Sequence, residues 1–313
     1  MNRRRREISL AVAILATCAA VALGAPAFFA FGNLRGLALD ALPLWVAALG
    51  MTLVLTTGQI DVSVGAQFAV CGVVSGLAAR AGAPAPLVLA TTVAAGALLG
   101  ALNGFLVAAF RLPSILVTLA TMAILRGTLR WASGGAWIQD LPGSYVWFGF
   151  PQPVGQALFL AAAVLIALGV WVFARWTSAG RAIAAVGSSA ENARLLGLRP
   201  ERVLLRTFVL AGALVGAAAL VHFPRYPAVE IEAGIGFELE VIACVVVGGT
   251  RVQGGRGSLA GTLLGVVLLS VIGTVLVFLR VDAAWERAFQ GAILLAAVAL
   301  DARGARRRGV RGG

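Results

Sequence analysis

Apolar runs long enough to cross a bilayer recur along almost the whole chain, and this succession constrains the fold more than any single motif. They lie at about 8–31, 38–57, 64–80, 85–110, 112–131, 154–174, 203–223, 237–250, 257–279 and 283–301. A helix rises 1.5 Å per residue, so about 20 apolar residues cover the hydrocarbon of a bilayer. The expected fold is therefore an all-α polytopic membrane protein, one transmembrane domain over residues 1–313 with about ten spans. The 237–250 run is short enough for a half-helix or re-entrant segment. With 60% hydrophobic and 12% charged residues and a mean hydropathy of +0.95, the chain lacks the polar exterior a soluble domain would need. The first run follows four consecutive arginines, Arg3 to Arg6, which also suits a signal peptide, but it exceeds the usual apolar core of about 7–15 residues.

Charge sets the expected orientation. Lys plus Arg total 25, all of them arginine, against 13 acids. When ten spans are laid out, most arginines fall on one side, together with the basic tails 1–7 and 302–313 and the 175–202 loop. Asp40, Asp140, Glu230, Glu232 and Asp282 fall on the other. The positive-inside rule makes the basic side cytoplasmic, with both termini there. A net charge of +12 then reflects membrane topology and lipid contact, and nucleic acid needs no place as a partner. Cys18, Cys71 and Cys244 each sit in an apolar run, with no spacing for a metal or a disulfide framework.

Residues 175–206, RWTSAGRAIAAVGSSAENARLLGLRPERVLLR, form the longest markedly polar stretch and carry six arginines. Within it AENARLLGL has strong helix formers stopped by Gly197 and Pro200, which predicts a short exposed helix suited to holding a soluble partner.

Polar residues interrupt the apolar pattern at a few places. In TTGQIDVSVG, Gly58 and Gly65 permit a tight reversal around Asp61. A carboxylate there fits a functional role, and Asp61 or Ser63 equally fits capping of the following helix. In NGFLVAAFRLPSILVTLATMAILRG, Pro113 suits a helix start, and Thr118 and Thr121 share a face, with Asn103 and Ser114 nearby. Asp61, Gln67, Asn103, Thr118 and Thr121 are the candidate substrate-path residues; backbone bonding and helix knitting are the alternative uses of such groups. Gly248 to Ser258 is too glycine-rich for a continuous helix and lacks P-loop spacing. The single histidine, His222, reads as an interfacial residue, and no nucleophile-base pair or paired carboxylates point to catalysis. Trp131 to Pro153 carries three tryptophans, which fit an interfacial belt or a docking surface on the outer side. CGVVSG from Cys71 and CVVVGG from Cys244, with Gly104/Arg111 and Gly273/Arg280, form a faint echo. Either it marks an inverted five-plus-five repeat or it is chance similarity between low-diversity helices.

The stretches TTGQIDVSVGA, NGFLVAAFRLPSILVTLATMAILRG, SSAENARLLGL and IGFELEVIACVVVGGTRVQGGRGSLAGTLLG resemble the membrane permease subunits of bacterial ABC importers of the ribose, xylose and galactose type. Permeases for rhamnose and autoinducer-2 look similar, and branched-chain amino-acid permeases are more distant. The likeness runs from about Leu49 to Asp301. It implies a permease dimer of identical or different chains, a separate cytoplasmic ABC ATPase that binds the ATP, and a periplasmic substrate-binding protein. No cofactor is expected on this chain itself, and the expected location is the bacterial inner membrane. Ala190, Glu191, Asn192, Ala193, Leu195, Leu196 and Gly197 match the family's cytoplasmic coupling segment. One departure is Thr57-Gly-Gln-Ile-Asp-Val-Ser, where the family often has Gly-Gly-Ile-Asp-Leu-Ser. The rival expectation is an ion-coupled secondary transporter, for which only Asp61 supplies an obvious buried ionisable group.

Overall fold

The computed structural model describes residues 3–24 and 26–278, together with Trp285, Ala288, Gly291, Ala292 and Leu295. Apart from those five residues, the expected span at 283–301 lies outside the described residues, as do the tail 302–313, Asp282 and Arg280. The described chain is helical, with no strand among these residues: α1 (Arg3–Gly24), α2 (Phe31–Thr56), α3 (Val64–Arg80), α4 (Ala85–Phe110), α5 (Ser114–Ser133), α6 (Gln152–Trp176), α7 (Ser178–Ser188), α8 (Ala190–Leu195), α9 (Pro200–His222), α10 (Phe237–Val247) and α11 (Leu259–Phe278). Among the described residues, six helical stretches have the length and apolarity to cross a membrane: α2, α4, α5, α6, Pro200–Arg225 and Leu259–Leu276. The protein is a multi-pass membrane protein.

One expectation needs correction. The 8–31 run is not one helix, because α1 stops at Gly24 and a short 3-10 turn, Pro26–Phe29, precedes α2. Pro26 cannot supply the N–H that a continuing helix needs. The 175–202 segment holds the expected short helix as α8, and a further helix, α7, precedes it. The buried positions of α7, Ala182, Ile183 and Val186, recur at helical spacing, so its packing face was present in the sequence among small residues. Helix α10 has 11 residues, the length of a half-helix that the short 237–250 run suggests, and α3 has 17.

Helix α2 is the axis of the bundle. Its second half, from Val46 to Thr56, is buried on every side, as expected for a helix apolar all round. It packs on α9, α10, α11, α6 and α7. A buried hydroxyl pair, Thr52 Oγ1 and Thr262 Oγ1 at 2.8 Å, joins it to α11. Around this core, leucines on α4, α5 and α6 such as Leu98, Leu116 and Leu165 stay exposed, presenting apolar surface to lipid.

The backbones of α4 and α9 meet directly. Gly96, Gly100 and Gly104 recur every four residues on α4, and Gly212 and Gly216 continue the same spacing from Phe208 on α9. A Cβ built on Gly100 would collide with the Phe208 carbonyl, one on Gly212 with the Gly96 carbonyl, and one on Gly216 would stand 2.7 Å from the Thr92 carbonyl. Small residues every four positions let helix backbones meet where lipid supplies no hydrophobic drive, so van der Waals packing holds the pair. Gly248, Gly261 and Gly265 form a second seam of this kind between the end of α10 and the start of α11.

The tryptophan-rich segment folds back on the bundle. Ile138 and Val229 form an isolated antiparallel bridge. Tyr145 is buried and shares a 2.8 Å hydrogen bond with Ser75 of α3. Burial pushes its phenol up to about 12, so it stays protonated at any physiological pH. Trp147 packs on Phe159 of α6, whereas Trp131 is 85% exposed, as a belt residue would be.

Candidate functional site

The short helix expected within AENARLLGL is present as α8 and closed at both ends. Ser189 is its N-cap, the Oγ accepting the Asn192 N–H at 3.1 Å. Glu191 lies in the first turn and Arg194 in the last, so both complement the helix dipole. At the other end Gly197 takes φ +78°, its N–H donates to the Arg194 carbonyl at 2.9 Å, and the Leu198 N–H donates to the Ala193 carbonyl at 3.0 Å. That pair of bonds is the Schellman arrangement, which requires the left-handed residue that glycine adopts without strain. Pro200 then begins α9 rather than merely ending α8. Arg194 is also paired with Glu201 across this turn.

With its ends satisfied internally, α8 presents its side chains outward. Ala193 is buried, while Leu195 and Leu196 are 84% and 78% exposed, and Glu191 and Asn192 are exposed beside them. Two adjacent leucines open to solvent on a short capped helix have no role within this chain's own core. Ser189, with φ −164° and ψ 112°, is the sole residue between α7 and α8.

The α7 end touches the bundle axis. A Cβ on Gly187 would overlap the Thr56 carbonyl at the end of α2 and stand 2.7 Å from the Gly255 nitrogen. Gly255 in turn donates its N–H to that same Thr56 carbonyl at 2.9 Å. The glycine-rich segment expected to be non-helical does leave the helix after Val247, and Gly249, Gly254 and Gly255 have positive φ. Thus α7, the end of α2 and the 253–257 hairpin meet at one backbone junction. Motif reasoning missed Gly187 because nothing separates it in sequence from other glycines.

From this junction the chain enters the polar segment 57–63, where the expected substrate-path residues are brought together in one hydrogen-bonded cluster. Asp61 Oδ1 accepts from the Ser63 N–H at 2.9 Å and the Ser63 hydroxyl at 2.6 Å, and Oδ2 accepts from Gln67 Nε2 at 3.0 Å. Ser63 Oγ accepts from Gln67 Nε2 at 2.7 Å and from Asn103 Nδ2 on α4 at 2.8 Å. The Thr121 hydroxyl on α5 donates to Asn103 Oδ1 at 2.7 Å. Nearby, the Ile60 and Val62 N–H groups donate to Ser114 Oγ and Thr118 Oγ1, both at 3.1 Å. Asp61 therefore bonds the N-cap residue of α3 rather than the first N–H groups inside the helix, and Ser63 itself makes no side-chain cap. Asp61, Ser63, Gln67, Asn103, Thr118 and Thr121 are all buried. Gln67 Oε1 has no protein donor, which leaves one acceptor of the cluster unused. Ser63 is the hub, and its linking role lay hidden because the partner on α4 is 40 residues away.

An Asn103→Val replacement removes the amide that ties Ser63 of the α3 entrance to Thr121 of α5. Stranding buried polar partners costs about 1–3 kcal/mol, so we expect a thermal midpoint several degrees lower in detergent with folded protein still recovered. Asn103→Gln, which keeps the amide at a changed reach, should recover part of the shift; a scanning-fluorimetry series reads both.

Two cavities open on the opposite side of the bundle. One, of about 340 Å³, is lined by Arg126, Arg130, Glu232, Glu238, Met122 and Ile235 among others, and Arg126 donates to the Ala233 carbonyl at 2.8 Å. The other, of about 470 Å³, brings Asp40, Glu240, Ser270 and Thr274 together with the rings of Phe68, Phe237 and His222. His222 is half-enclosed by Phe68, Phe223 and Tyr226. Sequence reasoning missed these linings because their members come from helices far apart in the chain.

Comparison with known proteins gives this geometry a setting. Residues 33–298 match the family model described as branched-chain amino acid transport system / permease component. The autoinducer 2 import system permease protein LsrC of Enterobacter sp. (strain 638) is 36% identical over 301 residues, covering 96% of this chain and 88% of that protein. LsrC of Klebsiella pneumoniae is 37% identical over 302 residues, covering 96% and 87%. LsrC of Escherichia coli O9:H4 is 36% identical over 261 residues, covering 83% and 76%.

Proposed function

Because the chain belongs to the permease-component family of branched-chain amino acid transport systems, we propose that it is the membrane subunit of an ATP-driven importer, and that α8 is the handle through which a separate ATPase drives it. The observation that carries this reading is α8 itself: capped at both ends, joined to α7 through Ser189 alone, and turning two leucines outward from a chain otherwise devoted to membrane packing. The roles of Ala190, Glu191, Asn192, Ala193, Leu195, Leu196 and Gly197 follow from it: the outer side chains meet the ATPase, Ala193 seats the helix, and Gly197 closes it.

The solute in this reading is a sugar or a sugar-like polar molecule, a class that includes the autoinducer 2 of the relatives' names. A binding protein delivers it on the side away from α8. There the aromatic rings, hydroxyls and carboxylates around Phe68, Phe237, Ser270 and Glu240 suit a polyhydroxylated guest. Inward passage requires the buried cluster of Asp61, Gln67, Asn103, Thr118 and Thr121 to open, and its amides and hydroxyls then line the path. Closure of the ATPase would move α8 and, through the Gly187 junction, the end of α2, shifting the bundle between two packings. The basic face is cytoplasmic, the membrane is the bacterial inner membrane, and a second permease chain completes the assembly.

An inverted repeat fits this scheme. Val64 and Phe237, the first residues of α3 and α10, are separated by the same interval as Cys71 and Cys244, and each follows a long helix and a returning segment. The two helix starts meet, with Gly65 against the Gly234 carbonyl. Such a meeting point is where inverted-repeat transporters place their pathway.

The test is reconstitution in proteoliposomes with a candidate ATPase and loaded binding proteins. We expect co-purification of the ATPase, and hydrolysis and uptake that rise together with one loaded binding protein. Uptake that persists without any ATPase and collapses with an ion gradient would overturn the importer in favour of secondary transport.

A further inference from the structure

At the ends of α6 and α9, on the face that carries α7 and α8, the chain forms a cavity of about 400 Å³ with one basic wall and one apolar wall. Arg199, Arg202 and Arg206 supply the basic wall, at spacings of three and four that place them along one side of the α9 start. All three are exposed, and none donates a side-chain hydrogen bond or joins an ion pair with a described residue. Glu201, the acid among them, is already held by Arg194. Phe173, Ile183 and Leu210 line the apolar wall.

The level of the cavity follows from the helices that frame it. The α6 span ends at Trp176, and both Trp171 and Trp176 are exposed on an otherwise apolar helix, the placement of rings at a bilayer boundary. The α9 span begins at Pro200, so the three arginines straddle the same boundary. Positive charge thus stands at headgroup depth, and apolar walls descend from it between two spanning helices.

We propose that this cavity binds an anionic phospholipid, with the phosphate held by Arg199, Arg202 and Arg206 and an acyl chain lying against Phe173 and Leu210. Guanidinium groups grip phosphate oxygens through paired N–H donors, which suits this wall. An acidic peptide would find the arginines equally attractive, but it has no use for a slot between spans. The bound lipid bridges α7, through Ala182 and Ile183, to α9, and so steadies the base on which α8 is mounted. The inference needs only the membrane placement of α6 and α9, and it stands or falls apart from the transport reading.

The experiment uses full-length protein in a delipidating detergent, titrated with phosphatidylglycerol or phosphatidylcholine and followed by native mass spectrometry and thermal midpoint. Wild type should bind phosphatidylglycerol at roughly tenfold lower concentration than phosphatidylcholine, given the modest attraction of each basic side chain for an anionic surface. R199Q/R202Q/R206Q should lose that preference while keeping its response to phosphatidylcholine, and R202Q alone should lose part of it. R3Q/R4Q/R5Q, which removes equal charge elsewhere, should keep it. Equal binding of both lipids by wild type overturns the proposal, as does an undiminished preference in either cavity variant or a loss in R3Q/R4Q/R5Q. Competition by millimolar glycerol phosphate as effective as the lipid would assign the arginines to a free phosphate. A cavity variant that binds lipid normally but no longer co-purifies with an ATPase would assign them to a protein partner.

Discussion

Gly212→Val is expected to prevent accumulation of folded protein in the membrane. The new side chain would have to enter the space now filled by the Gly96 carbonyl and the Gly100 backbone, whose Cα and nitrogen lie 3.0 Å from even the first added carbon. The obstacle is backbone on a facing helix, so no rotamer change relieves it, and α4 and α9 must separate along the seam. Ordinary overpacking costs about 1–3 kcal/mol. Splitting a backbone seam should exceed that range and consume much of the roughly 5–15 kcal/mol that holds a domain folded. Gly100→Val should behave alike, whereas Gly127→Val on α5, where a Cβ meets nothing within 4 Å, should express normally. Size-exclusion profiles of detergent extracts distinguish these cases; a monodisperse Gly212→Val peak at wild-type yield would show that the seam tolerates separation.

The second large effect is functional and leaves the fold alone. Leu195→Asp/Leu196→Asp places two carboxylates on the outward side of α8, where neither leucine is buried. Folded protein should still be recovered with a thermal midpoint only a few degrees below wild type, since exposed substitutions and charges at a helix end each cost about 0.5–1 kcal/mol. Co-purification of an ATPase and ATP-dependent uptake should both fall at least tenfold, because a docking site built on apolar contact would now present charge to an apolar groove. Gly197→Ala should show a milder version. Its φ of +78° strains any L-residue by about 1 kcal/mol, loosening the cap while open space around it avoids a clash. Normal coupling in the double aspartate variant would remove α8 from the drive mechanism.

These outcomes depend on features of unequal legibility in the sequence. The long spans were readable because nearly uniform apolarity over 20 residues has few other solutions, and α4 begins and ends at the residues its hydropathy indicates. The short helix at Ala190–Leu195 was readable because its stops are local: Gly197 and Pro200 lie within a few residues of it, while the Ser189 cap emerges only in the structure. The polar cluster was half readable. Asp61, Gln67, Asn103, Thr118 and Thr121 stand out against an apolar background, yet their mutual bonding through Ser63 depends on how α3, α4 and α5 pack. Least visible were the seams. Among 39 glycines, those that admit a facing backbone look no different from those in open space until the partner helix is known. The first run misled for a related reason, since hydropathy does not register the break that Pro26 imposes.

The two closures of α8 have a bearing on how such a protein can change over time. Ser189 and Gly197 satisfy the helix ends with atoms from the segment itself, and Ala193 and the Arg194–Glu201 pair anchor it, so Leu195 and Leu196 are not committed to holding any other part of the chain. Their identity is thus free to drift with whatever surface they meet. Gly187, a few positions earlier, has no such latitude, because the end of α2 and the Gly255 hairpin both close on it. A descendant chain could acquire a new motor by rewriting α8 while inheriting the gearbox behind it untouched.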